Sequence, residues 1–296
     1  MQDVAGAEGA MRRHVIKLGS TGIGLECYLT EDAPSCARPA VIVLPGGAYV
    51  LRAAAESGIV AKRFRSLGYE AFVLRYSTYP GGTPYPGQAA ELMEAICYLK
   101  DHSAELGVDR DRIYALGFSA GAHVAVTLAE RAGDKEIRGM AGIAVDADAS
   151  ELLPAGLVLC YPLLAVHPLK APSELLSISN KALFGTETLT ESECDSVDLV
   201  RGVRAGMPRT FIWQSAQDAM CDPRDTLRFA SRLLDCGTPC ELHLFEEGAH
   251  GMSMADEESV EEGASAADAH VATWVMLADQ WMHGVKDVPA AADSAE

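Results

Sequence analysis

The sequence has no long apolar run and comparatively few positive charges. No stretch approaches the roughly 18 uninterrupted apolar residues that a membrane-spanning helix requires. The first residues, MQDVAGAEGAMRRH, contain no apolar run of the kind found in secretory signals, so we expect a cytoplasmic protein. Lys and Arg number 24 against 42 Asp and Glu, which gives a formal net charge of −18. This charge repels phosphates and argues against nucleic acid or a membrane as a partner.

The sequence also lacks a cysteine pattern that would indicate a disulfide framework or a metal site. Its 8 cysteines are scattered through predicted strands, helices and loops. Without an export signal, we expect these thiols to be reduced and several of them to be buried. Cys236 and Cys240 form a close pair, but no second pair accompanies them, so we do not expect a zinc site.

No internal repeat and no low-complexity linker divides the chain. Hydrophobic residues make up 49% of its 296 residues, which is ample for one large core. We therefore predict a single domain over residues 1–296, with a disordered tail over residues 287–296.

Short apolar runs bounded by Gly and Pro alternate with helical patterns along most of the chain. The run AVIVL at Ala40–Leu44 has no polar residue, which is typical of a strand buried on both faces. The alternation predicts an α/β fold with a mostly parallel sheet of about eight strands covered by helices on both faces. The pattern becomes irregular between Pro162 and about Gly206, and we predict a lid-like insertion over the sheet there.

The segment RIYALGFSAGAHVAV at residues 112–126 joins an apolar run, a glycine-flanked serine and an alanine-rich stretch. Its turn, Gly117–Gly121, has the pattern G-x-S-x-G of a nucleophile elbow between a strand and a helix. The residues two before and two after the serine must be small because the strand and helix pass close together there. This pattern also occurs by chance in a glycine-rich chain, but its flanking strand and helix favour Ser119 as a nucleophile.

A serine hydroxyl is a weak nucleophile near neutral pH and needs a histidine base and a carboxylate that orients the base. His250 directly follows a predicted strand between glycines, and Asp218 follows another predicted strand. The order Ser119, Asp218, His250 is the order that elbow-containing folds use. Asp222 is the alternative acid, and we prefer Asp218 because it lies just past the strand. We predict that His123, one turn into the elbow helix, is a packing or helix-orienting residue.

The tetrahedral intermediate of acyl transfer needs two preorganised N–H donors for its oxyanion. Ala120, the residue after the predicted nucleophile, is expected to supply one of them. The other is expected from the loop Pro45–Tyr49, where paired glycines allow close approach of a ligand oxygen. We prefer Gly47 as this donor, with Ala48 as the alternative. A plain turn is the other interpretation of this loop, and the nearby elbow favours the oxyanion role.

These segments resemble those of α/β-hydrolase-fold esterases of the acetyl-xylan-esterase-like group, which are related to feruloyl esterases and hormone-sensitive-lipase-type enzymes. The matching sequences are VIVLPGGAY (41–49), FVLRYSTYP (72–80), RIYALGFSAGAHVA (112–125), PRTFIWQSAQD (208–218) and ELHLFEEGAHGMSM (241–254). The resemblance implies an α/β-hydrolase fold and a serine carboxylesterase that removes acyl groups, commonly acetyl, through an acyl-enzyme. The implied partner is a small-molecule ester, such as an acetylated sugar or oligosaccharide, and no metal or organic cofactor is expected.

The sequence departs from the pattern of this group at several positions. Ala122 replaces a glycine that commonly follows the elbow, and Pro45 and Ala48 replace the outer residues of a His-Gly-Gly-Gly loop. Asp222 stands where a proline is common. These departures affect the expected substrate preference more than the catalytic residues. An aryl-formamidase or peptidase-like amide hydrolase with the same residues stays an alternative, as does a non-catalytic binding protein of this fold.

Two segments are expected to determine acyl and alcohol specificity, namely the insertion Pro162–Gly206 and the loop Ser77–Gly87. Tyr49, Tyr79 and Tyr85 lie in or near these loops. They are either residues that line the entrance to the site or ordinary surface aromatics.

Overall fold

The centre of the fold is one eight-stranded β-sheet. This computed structural model describes residues 11–31, 36–166 and 174–284. The strands of the sheet are β1 (Met11–Lys17), β2 (Gly24–Thr30), β3 (Arg38–Leu44), β4 (Glu70–Leu74), β5 (Val108–Phe118), β6 (Gly156–Cys160), β7 (Arg209–Ser215) and β8 (Cys240–Phe245). Their order across the sheet is β1-β2-β4-β3-β5-β6-β7-β8. β2 pairs antiparallel with β1 and β4, and the other neighbours pair in parallel. The predicted mostly parallel sheet is confirmed.

Helices cover both faces of this sheet. They are α1 (Gly58–Ser66), α2 (Gly87–Asp101), α3 (Ser103–Leu106), α4 (Ala120–Arg131), α5 (Lys135–Met140), α6 (Glu174–Phe184), α7 (Glu191–Ser196), α8 (Pro223–Asp235), α9 (Glu257–Glu261) and α10 (Trp274–His283). Successive residues of β3 point to opposite faces: Ile42 joins a core with α2, α4 and α8, whereas Val43 joins one with α1 and α10. Both residues are fully buried, as the apolar run predicts.

The sequence predicts one helix over about residues 52–67 that stops at Gly68. This prediction is wrong in its first part. A short 3₁₀ turn, Ala54–Glu56, comes first, and α1 begins only at Gly58. Ser57 between them has a non-helical backbone with φ −114° and ψ −112°. The turn directs the Glu56 side chain inward, where it accepts a hydrogen bond from the Gly46 N–H at 2.6 Å. The break in the helix therefore places a carboxylate in the protein interior.

The described parts of the predicted insertion are residues 162–166 and 174–206. The second part holds the two helices α6 and α7 between β6 and β7. The role of the insertion as a lid stays a prediction. The predicted tail, residues 287–296, lies outside the described residues. In the portion of the chain with described structure, no helix is both long and apolar enough to cross a membrane.

Candidate active site

Ser119 occupies the tight turn between the end of β5 and the start of α4. Its backbone has φ 50° and ψ −115°, a conformation that non-glycine residues rarely adopt. The Ser119 N–H donates to the carbonyl of Cys160 at the end of β6, at 3.0 Å. This bond to the neighbouring strand holds the strained turn in place and presents the serine hydroxyl at the carboxyl end of the sheet.

The glycines that flank Ser119 lie where no side chain fits. A Cβ atom at Gly121 would lie 2.1 Å from the carbonyl oxygen of Leu44, and one at Gly117 would lie 2.6 Å from the backbone of Ala122. Because these neighbours are backbone atoms, the turn could accept a side chain only by separating α4 from the sheet. The small residues that the motif requires are thus explained by packing.

Replacing Gly121 with alanine is expected to lower the free energy of unfolding by about 3 kcal/mol or more, because overpacking against backbone is poorly relieved. Urea denaturation would measure this loss. Gly139→Ala is the matched control, since that glycine lies in α5 with no atom within 4 Å of the added Cβ. The control is expected to gain about 0.5–1 kcal/mol from helix propensity. Equal stabilities for the two variants would contradict the packing explanation.

The structure brings together Ser119, His250 and Asp218. His250 follows β8 and Asp218 follows β7, and parallel strands end at the same edge of the sheet. His250 Nε2 lies 2.9 Å from Ser119 Oγ, and His250 Nδ1 lies 2.8 Å from Asp218 Oδ2. The imidazole can therefore accept the serine proton at one nitrogen while the carboxylate holds the other.

Four donors surround the Asp218 carboxylate. Oδ1 accepts the N–H groups of Met220 at 2.8 Å and Cys221 at 3.0 Å, and Oδ2 accepts from Gln214 Nε2 at 3.2 Å as well as from His250. Burial alone would raise the pKa of Asp218, but the hydrogen bonds and the charge of His250 bring it below its ordinary value. Burial likewise opposes charge on His250, but the bond to Asp218 raises the pKa of the imidazole.

Asp222, the alternative acid, caps α8 and accepts the Arg224 N–H at 2.9 Å, and it is Asp218 that contacts His250. Sequence reasoning missed the part played by Gln214. Its amide also donates to the Cys221 carbonyl at 2.7 Å, so it connects the acid to the following turn. Gln214 is a polar residue that follows the apolar residues FIW near the end of the strand RTFIWQS, and this position could have indicated its role.

The loop after β3 has an unusual backbone beside Ser119. Gly47 has φ 129° and Ala48 has φ 54°, and a Cβ at Gly47 would lie 2.3 Å from the Leu51 carbonyl oxygen. The Gly46 N–H is engaged by Glu56. Among the hydrogen bonds of the described residues, none uses the N–H of Gly47, Ala48 or Ala120. These three amides are the groups that the sequence predicts as oxyanion donors.

His123 is fully buried, in the position of a packing residue. Its Nδ1 lies 2.7 Å from Tyr49 Oη, and its Nε2 lies 3.3 Å from the Val197 carbonyl. Burial lowers the pKa of His123 to about 4, so the ring is neutral near pH 7. Because a carbonyl only accepts, Nε2 carries the proton and Tyr49 donates to Nδ1. The histidine therefore joins the loop after β3 to α4 and to the segment before β7.

The three tyrosines of the predicted entrance differ in exposure. Tyr49 is buried, so the surface interpretation is wrong for it. Tyr85 is partly buried with its ring centroid 5.5 Å from that of His123, and Tyr79 is 41% exposed. Tyr49 and Tyr79 line a cavity of about 490 Å³ between the Ser77–Gly87 loop and α6.

Comparisons with known proteins agree with this architecture. A family model described as alpha/beta hydrolase fold matches residues 41–254. Over 236 residues the chain is 28% identical to endo-1,4-beta-xylanase B of Butyrivibrio fibrisolvens, a match covering 79% of this chain and 35% of that protein. The chain spans 35% or less of the length of the first curated relatives that it matches.

Two solved structures illustrate the similarity over nearly the whole chain. An acetyl ester-xyloside bifunctional hydrolase from Caldicellulosiruptor lactoaceticus is 28% identical with a TM-score of 0.72, over 95% of this chain and 98% of that one. A carboxylesterase from Lactobacillus plantarum is 22% identical with a TM-score of 0.76, over 93% and 97%, and shows likeness of fold alone. The family model matches most of the chain, and the sheet that carries the site has the matching architecture. The chain therefore belongs to the α/β-hydrolase fold family.

Proposed function

We propose that the protein is a serine carboxylesterase that hydrolyses short-chain acyl esters, acetyl esters foremost, of sugars or small alcohols. The observation that carries this proposal is the Ser119–His250–Asp218 arrangement, with distances of 2.9 and 2.8 Å at the carboxyl ends of the strands. Such an arrangement provides a nucleophile, a base and an orienting carboxylate in contact with one another.

In the proposed mechanism, Ser119 Oγ attacks the ester carbonyl while its proton moves to His250 Nε2. The oxyanion accepts hydrogen bonds from the N–H of Ala120 and from that of Gly47 or Ala48. The intermediate collapses to an acyl-Ser119 and the alcohol leaves with the proton from His250. Water then attacks the acyl group with His250 again as base, and the acid and free Ser119 are released.

Two cavities near the site and the similarity to known proteins support a small-molecule substrate. The cavity beside Tyr49 measures about 490 Å³, and another of about 560 Å³ adjoins Asp218. Both fall in the range of sites for small molecules. Two of the relatives, each 28% identical and each matched over more than three quarters of this chain, are named as a xylanase and as an acetyl ester-xyloside hydrolase. These names favour acetylated xylose derivatives as the first sugars to test.

A series of p-nitrophenyl esters from acetate to octanoate tests the acyl preference. If acetyl esters are the preferred substrates as proposed, kcat/KM is highest for acetate and at least about tenfold lower for octanoate, since each misplaced methylene group can change kcat/KM by a factor of about ten or more. Release of acetate from an acetylated methyl xyloside, measured beside an acetylated alkyl alcohol, tests the sugar preference. A maximum on longer acyl chains would contradict the acetyl assignment. Faster cleavage of a matched anilide or formamide would favour the amide hydrolase, and no cleavage would favour a binding protein.

A further inference from the structure

A second buried carboxylate, Glu56, lies beside the candidate site and has no part in the steps above. Its residue is only 4% exposed, although no basic side chain is among its hydrogen-bond partners in the described structure. We propose that Glu56 and Tyr161 are positioning residues that tie the predicted oxyanion loop and the His250 loop to the nucleophile turn. This inference rests on the proposed hydrolytic function.

Three consecutive hydrogen bonds form the connection. Glu56 Oε2 accepts the Gly46 N–H at 2.6 Å, and Glu56 Oε1 accepts the Tyr161 O–H at 2.6 Å. Tyr161 Oη in turn accepts the Ser253 N–H at 2.9 Å. Gly46 begins the loop that holds Gly47 and Ala48, and Ser253 lies in the loop that follows His250. The bridge therefore spans from the oxyanion donors to the base.

Tyr161 also adjoins the other parts of the site. It directly follows Cys160, whose carbonyl accepts the Ser119 N–H. Its ring meets the His250 ring edge-on, with centroids 4.9 Å apart. Tyr161 has φ 37° and Ser253 has φ 54°, which are left-handed values that surrounding contacts must maintain. The hydrogen bonds of the bridge supply such contacts.

Both oxygens of Glu56 accept hydrogen bonds, one from an N–H and one from an O–H, and these donors favour its carboxylate form. Burial outweighs them and raises the pKa of Glu56 above its ordinary value. In its ionised form, Glu56 also favours the imidazolium that forms when His250 takes the serine proton.

Loss of the bridge is expected to slow the chemical step more than to weaken binding. Without Tyr161 Oη, the buried Ser253 N–H loses its acceptor and Glu56 loses a donor. The two loops then relax, and small misplacements of a base or of oxyanion donors cost large factors in rate. Ser119, His250 and Asp218 themselves are unchanged in such a variant, so substrate binding is affected less than the rate of the chemical step.

Tyr161→Phe is the most direct variant because it removes one hydroxyl and keeps the ring against His250. We expect kcat on p-nitrophenyl acetate to fall about 10- to 100-fold, with KM changed by less than about threefold. A fluorophosphonate probe is expected to label Ser119 more slowly by a similar factor. In that reaction, Ser119 Oγ displaces fluoride from phosphorus, so no ester is needed.

Tyr114→Phe is the matched control. Tyr114 is equally buried, and its hydroxyl donates to the Met282 carbonyl at 2.9 Å. It lies five residues before Ser119 on β5, about 16 Å away along the strand. We expect this variant to lose stability, measured as Tm, but to keep kcat and the labelling rate.

Glu56→Gln supplies a second test, since an amide cannot accept from both donors. If the two residues act as one bridge, Tyr161→Phe combined with Glu56→Gln loses about as much kcat as the more damaging single variant. Multiplied losses would overturn the proposal. So would a kcat within about twofold of wild type for Tyr161→Phe, or an equal loss for Tyr114→Phe.

Different measurements would overturn the proposed function and the proposed bridge. Wild-type protein that reacts with the fluorophosphonate but hydrolyses no ester would overturn the esterase, and the labelling rates of the variants would still decide on the bridge. Wild-type protein that neither reacts with the probe nor hydrolyses an ester would overturn both. Normal ester hydrolysis by Tyr161→Phe would overturn the bridge alone.

Discussion

Replacing Ser119 with alanine is expected to lower kcat on p-nitrophenyl acetate by about 10⁴- to 10⁶-fold. The hydroxyl oxygen is the atom proposed to bond to the substrate, and it lies 2.9 Å from His250 Nε2. The variant should still fold, because the Ser119 N–H bond to Cys160 is a backbone bond and is retained. Residual activity would report what the oxyanion donors and binding contribute alone.

Ser66→Ala is the control for this substitution. Ser66 is exposed at the end of α1, where its hydroxyl donates to the Arg63 carbonyl. We expect wild-type hydrolysis from this variant, and unchanged circular dichroism spectra from both alanine variants. If Ser119→Ala kept its secondary structure and hydrolysed the ester at the wild-type rate, the serine mechanism would be excluded.

Asp218→Asn has the second largest expected effect, a loss of about 10³- to 10⁴-fold in kcat. Asparagine can offer its amide to His250 Nδ1 and then favours the wrong tautomer of the ring. The substitution also changes the pH dependence. Hydrolysis requires neutral His250, and the bond to Asp218 raises the pKa of His250. Removing the carboxylate lowers that pKa, so the acidic limb of the kcat/KM profile should move to lower pH.

Asp222→Asn is the matched control for the acid. Asp222 caps α8, and asparagine is an equally good capping residue, so stability and kcat should stay within about twofold of wild type. The measurement is the pH dependence of kcat/KM for the three proteins. A larger loss for Asp222→Asn than for Asp218→Asn would reverse the assignment of the acid. An acidic limb that moved to higher pH in Asp218→Asn would contradict the electrostatic role of this carboxylate.

The sheet and its elbow were predictable because their determinants are local. An apolar run such as Ala40–Leu44 can only be buried on both faces, and the small residues at 117 and 121 follow from atoms within a few residues and one neighbouring strand. The placement of Asp218 and His250 after strands was also visible, since parallel strands end at a common edge.

Residues whose roles depend on distant partners were not predictable. Residues 52–67 are predicted from the sequence as one helix, whereas the Glu56 side chain points inward and bonds to Tyr161, which lies 105 positions further along the chain. Tyr49 and His123 are 74 positions apart, and their hydrogen bond explains why that tyrosine is buried. Such polar contacts leave no periodic pattern in the sequence, because each partner is only one residue in an otherwise ordinary segment.

The proposal of a covalent mechanism at Ser119 is tested most directly by rapid-quench mass spectrometry. Wild-type protein and Ser119→Ala are mixed with p-nitrophenyl acetate, quenched in acid within the first turnover, and digested. The activated leaving group speeds acylation, so the acyl-enzyme should accumulate. The predicted result is one acetyl group on the peptide that contains Ser119, and none at that position in Ser119→Ala. Acetylation of a different residue that is needed for turnover, or full activity of Ser119→Ala, would contradict the mechanism.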